Sequence, residues 1–282
     1  MDIPLIQIDA FAERVFEGNP AAVMLLPRWL DDAVLQQLAA ENNLSETAFF
    51  VAELPGEATP WTGTGPSYYL RWFTPATEVA LCGHATLATA GYLFDDIHPD
   101  AGELGFWTRS GWLTVTRQDD GQLVMDFPAE PLRAVQVDPA VAQALGARPS
   151  AAFQATDLIY VLDDPNAVQA LVPDFAVLQR LPVRGVVVTA PGTNTEVDFV
   201  SRWFGAQAGV AEDPVTGSAH AQLAPYWASR LGRSRLIGRQ LSARGGTVGC
   251  EVVGERVRLA GTYRRYLQGT VHLDDEDLVY RR

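Results

Sequence analysis

Arg71-Trp72-Phe73, followed by Glu78 and then Cys82-Gly83-His84-Ala85, recurs later as Arg202-Trp203-Phe204, Glu212 and Thr216-Gly217-Ser218-Ala219. The copies are offset by 131 residues at the Arg-Trp-Phe element and by 134 at the glycine, so the second carries three extra residues. They deliver Asp213 just ahead of its Gly-Ser. A period this long does not build a solenoid. It suits two similar domains, each feeding a strand into a helix led by a glycine. Helix N-termini attract anions, so two of them facing one cleft would hold a negatively charged ligand beside functional side chains.

Outward from the repeat, residues 3–11 and 21–26 read as strands joined by the turn signal Phe16-Glu17-Gly18-Asn19-Pro20. A helix is expected over 31–41, with Val34, Leu35 and Leu38 on its apolar face, and strands over 44–51 and 68–73. Residues 83–94 form the first repeat helix; having almost no charged face, it is expected to be buried. Strands near 104–108, 111–117 and 122–127 follow, and Pro128-Ala129-Glu130-Pro131 marks a domain boundary, giving domains over 1–128 and 129–282. The second half reads as strands near 151–162, a helix near 165–171, a β-branched strand at 185–190 and the second repeat helix from about Ser218. Pro225 predicts a kink or break in that helix. Strands near 248–253, 256–260 and 268–273 close the chain, and the last could pair back onto the first domain.

Composition removes whole function classes. All 21 basic residues are Arg, so neither Schiff-base chemistry nor a Walker A lysine is available. A net charge of -13 argues against nucleic acid, although a local nest of N–H groups can hold a small anion within an acidic protein. Cys82 and Cys250 make no disulfide framework. No stretch approaches the ~20 apolar residues of a membrane span, and the N-terminal residues lack a signal-peptide pattern. The cytoplasm is the expected compartment.

Three elements could carry chemistry. Glu46 stands at the mouth of the apolar run Phe49-Phe50-Val51. Burial there raises a carboxyl pKa and suits general acid/base work, while the plain alternative is an exposed strand-end residue. Cys82-Gly83-His84 places a glycine, a thiol open to acidification and an imidazole at a helix start, or else a small buried Cys and a capping His. Being two apart, Cys82 and His84 are not expected to face each other. Asp213 could orient His84 or a substrate amine, and Ser218 with the amides after Gly217 could hold a carboxylate; the alternative is a turn with an N-cap Ser. Gly217-Ser218-Ala219-His220 is not a hydrolase elbow. The four histidines show no i, i+4 pair, so no metal is expected.

These motifs, taken together with Asp9-Ala10-Phe11, Gly18-Asn19-Pro20-Ala21-Ala22-Val23 and Leu44-Ser45-Glu46-Thr47-Ala48-Phe49, resemble the phenazine-biosynthesis isomerase (PhzF-like) family of the diaminopimelate-epimerase fold. The matches run in family order from residue 9 to 219. The resemblance implies an α/β (α+β) protein of two similar domains, each a curved sheet wrapped around a central helix, with the active site in the cleft between them. It implies that Glu46 is the general acid/base, that His84 and Asp213 share the polar chemistry, and that Ser45, Asn19, Gly83, Ala85, Gly217, Ser218 and Ala219 contact substrate. The family's defining reaction moves a hydrogen around the ring of a dihydro-hydroxyanthranilate without a cofactor, and a homodimer is consistent with it.

Racemases of this fold use a cysteine at each helix start; here the second position is Thr216, which cannot act as a thiolate base at neutral pH. The expectation is therefore a cofactor-independent isomerase acting on a small carboxylated substrate. Its rivals are a racemase or epimerase that depends on Cys82, and a non-catalytic ligand-binding member of the fold.

Overall fold

The computed structural model describes residues 1–192, 195–206, 210–274 and 276–278 of a mixed α/β chain. It resolves into two compact units: Met1–Asp126 together with the C-terminal segment from Gly261, and Phe127–Ala260.

In the first unit, strand Asp2–Ala10 pairs antiparallel with both Asn19–Leu25 and Tyr263–His272. Strand Asn19–Leu25 then runs parallel to Glu46–Val51, which is antiparallel to Ser67–Phe73, which is parallel to Glu103–Thr108. Gly111–Arg117 continues as an antiparallel neighbour. Each parallel step needs a crossover. Helix Asp32–Asn42 supplies the first, burying Val34, Leu35 and Leu38 against Met24, Phe49 and Phe73. Helix Gly83–Tyr92 supplies the second and is buried from His84 to Tyr92. Its small residues let strands close in: a Cβ on Gly91 would lie 2.6 Å from the Tyr263 ring. The helix ends earlier than expected, passing into a π-helical turn over Leu93–Ile97.

The second unit repeats this order. Strand Leu158–Val161 is parallel to Gly185–Pro191, which is antiparallel to Phe199–Gly205, which is parallel to Arg235–Gln240, with Gly246–Val253 antiparallel beyond it. Its crossovers are the short helices Pro165–Gln169 and Phe175–Leu178, then helix Gly217–Leu231, which packs on Arg235–Gln240 and Gly246–Val253. Pro225 does not break that helix, which runs through it for 15 residues. A proline interrupts one i→i−4 bond, and burial of Leu223, Ala224 and Trp227 on either side holds the turn together.

Strand Arg235–Gln240 is absent from the sequence reading. Its Leu236, Gly238 and Gln240 point inward between arginines, so neither propensity nor apolar alternation marks it. Among the described residues no helix is long and apolar enough to cross a membrane.

The repeated Arg-Trp-Phe and Glu prove to be braces. Arg71 donates through Nε and Nη2 to the two carboxylate oxygens of Glu78 at 2.8 and 2.9 Å. Arg202 does the same to Glu212 at 2.7 and 2.9 Å. Each guanidinium also lies over the Phe two residues on, at 5.1 Å for Phe73 and 4.9 Å for Phe204.

Candidate active site

Glu46 opens strand Glu46–Val51 and pairs with Ala21 of the neighbouring parallel strand. That register places its side chain against helix Gly83–Tyr92, where Glu46 Oε2 lies 3.1 Å from His84 Nε2. The two atoms form a close ion-pair contact without the alignment of a hydrogen bond, and both are buried from solvent. The exposed strand-end alternative is thereby set aside: the Glu46 side chain is 18% exposed and that of His84 7%.

On the other side of the ring, Asn19 donates from Nδ2 to His84 Nδ1 at 3.2 Å. In the neutral ring this makes Nδ1 the acceptor and puts the proton on Nε2, facing Glu46. Burial works hardest against a charge on His84, but Cys82 when it is ionised, and Glu46, outweigh it and push the imidazole well above its usual range.

Cys82 departs from expectation twice. It is the N-cap of the helix in extended conformation (φ -146°, ψ 105°), not a residue on the helix, so its Sγ does face His84 Nδ1, at 3.5 Å. Nor is its thiol acidified. Burial, reinforced by the Glu46 charge, pushes it up, and the opposing pull of His84 and of the Ala85 N–H does not reverse this. With the thiol protonated, Glu46 is the charged neighbour that remains to favour a proton on His84. Iodoacetamide near neutral pH should therefore alkylate Cys82 at least ~10-fold more slowly than a free cysteine, as read by mass spectrometry of the intact chain.

Glu46, Cys82 and His84 bring oxygen, sulfur and nitrogen donors within 4.8 Å of one another, a cluster that residue spacing does not reveal. The carboxylate faces Nε2 and the sulfur faces Nδ1, whereas a single ion takes one ring nitrogen. The arrangement suits relay of a proton.

In the second unit, Thr216 is the N-cap of helix Gly217–Leu231, so Ser218 does not cap it. Thr216 Oγ1 donates to Asp213 Oδ2 at 2.5 Å, and Gln240 donates to both Thr216 Oγ1 and the Asp213 carbonyl. Thr216 is thus tied down where a second cysteine base would stand. Asp213 and Ser218 are half-buried, whereas Ala85 and Ala219 are fully buried, so only their main chain could meet a ligand. Gly83 and Gly217 lead their helices, and Ser45 lies one residue before its strand.

Capping separates these two helices from the rest. Helices Asp32–Asn42, Pro139–Leu145, Pro165–Gln169 and Phe175–Leu178 all begin with an Asp side chain bonded to a first-turn amide. Helices Gly83–Tyr92 and Gly217–Leu231 have no side-chain cap. Apart from the Ala85 N–H, which faces Cys82 Sγ, their first-turn amides are left to other acceptors.

The structure adds residues that no motif marks. Asp157, wholly buried, accepts from Arg184 Nε at 2.9 Å and from Nη2 at 2.5 Å, and from Gln222 Nε2 at 2.8 Å. Arg184 Nη1 in turn donates to Ser218 Oγ at 2.9 Å.

A model of the family described as phenazine biosynthesis-like protein matches residues 8–269. The chain belongs to the phenazine biosynthesis-like (PhzC-PhzF) family. It is 50% identical over 273 residues to a Pseudomonas aeruginosa protein described as an uncharacterized isomerase, covering 97% of this chain and all of that one. A crystal structure of a PhzF-family phenazine biosynthesis protein from Enterococcus faecalis, 44% identical, superposes with a TM-score of 0.88 over 97% of this chain and all of that one. Likeness of fold extends to a hydroxyproline epimerase from Agrobacterium vitis at 14% identity and a TM-score of 0.60, covering 97% of this chain and 93% of that one. The α/β fold is the one the family resemblance implies, and the likeness to the epimerase is one of fold.

Proposed function

We propose that this PhzF-family chain is a cofactor-independent isomerase that moves a proton between carbons of a small carboxylated substrate. The observation that carries the reading is the buried contact of Glu46 Oε2 with His84 Nε2 at 3.1 Å, in which neither atom has an aligned hydrogen-bond partner. A proton carrier needs such an arrangement: a carboxylate oxygen sheltered from water, and beside it a group that can share the proton.

In the reaction, Glu46 takes a proton from a substrate carbon, and the electron pair of that C–H bond is spread over the adjacent unsaturated system. The same carboxyl then returns the proton to another carbon. His84 holds a proton against Glu46 and donates to developing negative charge. The uncapped helix starts at Gly83 and Gly217 bind the substrate's anionic group, and Asp213 receives its other polar group. Action of both helix starts on one substrate is inferred from the sequence repeat. Ser45, Asn19, Ala85, Ser218 and Ala219 complete the proposed contacts, through the main chain for the two alanines. The proposal keeps the cytoplasmic location expected from the sequence and takes a homodimer from the family resemblance.

The test is a mass-resolved chromatographic comparison of metabolite extracts, supplemented with dihydro-hydroxyanthranilate, before and after treatment with the protein. Expected is one compound that changes retention at unchanged mass. If it is the supplement, the activity is of the phenazine type; if another compound shifts, the chemistry stands on a different substrate. Complete absence of such a shift, in extracts where a known isomerase shifts its own substrate, counts against the proposal.

The Cys82–His84 contact favours one second reading, a racemase or epimerase with Cys82 as a base. A protonated, buried thiol is poorly suited to that role. Cys82→Ala is expected to keep turnover within about 10-fold of wild type, well short of the loss when a positioned base is removed. An inert, folded Cys82→Ala would restore the racemase reading.

A further inference from the structure

Strand register aligns the two units residue by residue, beyond what their sequences share. In the first, Thr47, Ala48 and Phe49 lie opposite Phe73, Trp72 and Arg71. In the second, Val186, Val187 and Val188 lie opposite Phe204, Trp203 and Arg202. Because Arg71-Trp72-Phe73 and Arg202-Trp203-Phe204 are copies of one element, Glu46 corresponds to Gly185 and Ser45 to Arg184. The helix copies make Ser218 the counterpart of His84. The contact between Glu46 and His84 thus has an equivalent in the second unit, the 2.9 Å hydrogen bond from Arg184 to Ser218. Gly185 shows why the charge is displaced by one residue. A Cβ there would lie 2.3 Å from the Trp203 ring, leaving no room for a side chain at the position equivalent to Glu46.

The device that holds Arg184 is buried and fully paired. Asp157 and Gln222 are both 0% exposed; beyond the Asp157 bonds described above, Gln222 accepts from the Asp157 N–H at 3.1 Å and donates to the Ser218 carbonyl at 3.2 Å. Burying a carboxylate is costly unless it is paired. Here the paired carboxylate orients a guanidinium whose side chain remains 38% exposed. Since Arg184 donates to Ser218 Oγ, the Ser218 hydrogen is directed to some other acceptor, and the guanidinium has N–H donors to spare.

We infer that Arg184, acting with Ser218, is the specificity-determining contact for the substrate's carboxylate, and that Asp157 and Gln222 are its positioning residues. The inference rests on the isomerase reading for the presence of a carboxylate; it adds the residue that tells the acid from its amide. Both groups present hydrogens, which suits a carboxylate's acceptor-only oxygens. An amide would turn its own N–H toward one of them and leave that donor unpaired. The corresponding strand starts thus carry opposite charges, a carboxylate at Glu46 in the first unit and a guanidinium at Arg184 in the second.

The test is calorimetric titration of the full chain with anthranilate and with 2-aminobenzamide. Wild type is expected to prefer the acid. Arg184→Ala should weaken anthranilate binding by about 10–100-fold, the worth of a charged hydrogen bond. It should move 2-aminobenzamide by less than about two-fold, as for an interaction the amide never made. Arg184→Lys, which keeps charge without the fork, should fall between. If Arg184→Ala does not fold, Arg184→Gln takes its place under the same criteria. The inference is overturned if the neutral variant binds anthranilate as wild type does, if it loses acid and amide equally, or if wild type does not bind anthranilate. Glu46→Gln should keep its anthranilate affinity, so failure of the proton-transfer reading shows in turnover and failure of this one in binding.

Discussion

Glu46→Gln should lower turnover by about 10²–10⁴-fold, the usual contribution of a positioned acid/base, while leaving the apparent affinity for substrate nearly unchanged. Glutamine matches the carboxylate in shape but cannot accept a proton from carbon. It also removes the charge that favours a proton on His84, the group 3.1 Å away. The measurement is an initial rate on whichever compound wild type shifts, repeated in single-turnover form so that product release does not mask the chemical step. Glu46→Asp, which draws the carboxylate back by a methylene, should be intermediate. In D2O the product should be incompletely deuterated, because a carboxyl oxygen sheltered from water can return the proton it took. Near-normal turnover by Glu46→Gln removes Glu46 from the mechanism. Full deuteration by wild type removes the single-carrier step but leaves Glu46 as a base.

Much of this arrangement is legible in the sequence because it is written twice. The Gly-led helix starts, the strands feeding them and the candidate acid/base at Glu46 all follow from local signals: a glycine before a run of small residues, and a carboxyl before Phe49-Phe50-Val51. Strand Arg235–Gln240 stays hidden because its inward side is Leu, Gly and Gln; Gly238 is needed there, since a Cβ would meet Phe199 at 2.5 Å. The contact of Cys82 with His84 is hidden for a different reason. Helical spacing forbids it, and only the extended conformation of the cap residue permits it. Arg184 and Asp157 are invisible to any motif, since their pairing depends on which strands are neighbours and in what register. Local chemistry can be read from residue type and spacing; chemistry assembled across strands requires the register.

The Arg-Trp-Phe element that exposes the repeat should prove to be a matter of stability, with its two copies unequal. Arg202→Ala is expected to cost about 3–5 kcal/mol, as when one partner of a buried pair is removed. Glu212 would lose its bidentate partner, and the carbonyls of Val168, Gln169 and Leu171, which accept from Arg202 Nη1, would be left without it. Arg71→Ala should cost less, because Glu78 keeps Arg109 Nη2 at 2.6 Å and the other partner, Asp32, is 71% exposed. Denaturant unfolding with two probes measures both effects, with the midpoint falling while the slope is unchanged. By heat, Arg202→Ala should lower the midpoint of the affected transition by on the order of 10 °C. The double variant Arg202→Met with Glu212→Leu should recover part of the loss, since a paired replacement leaves no buried charge unmatched. An Arg202→Ala protein within about 1 kcal/mol of wild type would mean that the repeated arginine is not a brace. A role in the site would then have to explain why both copies retain it.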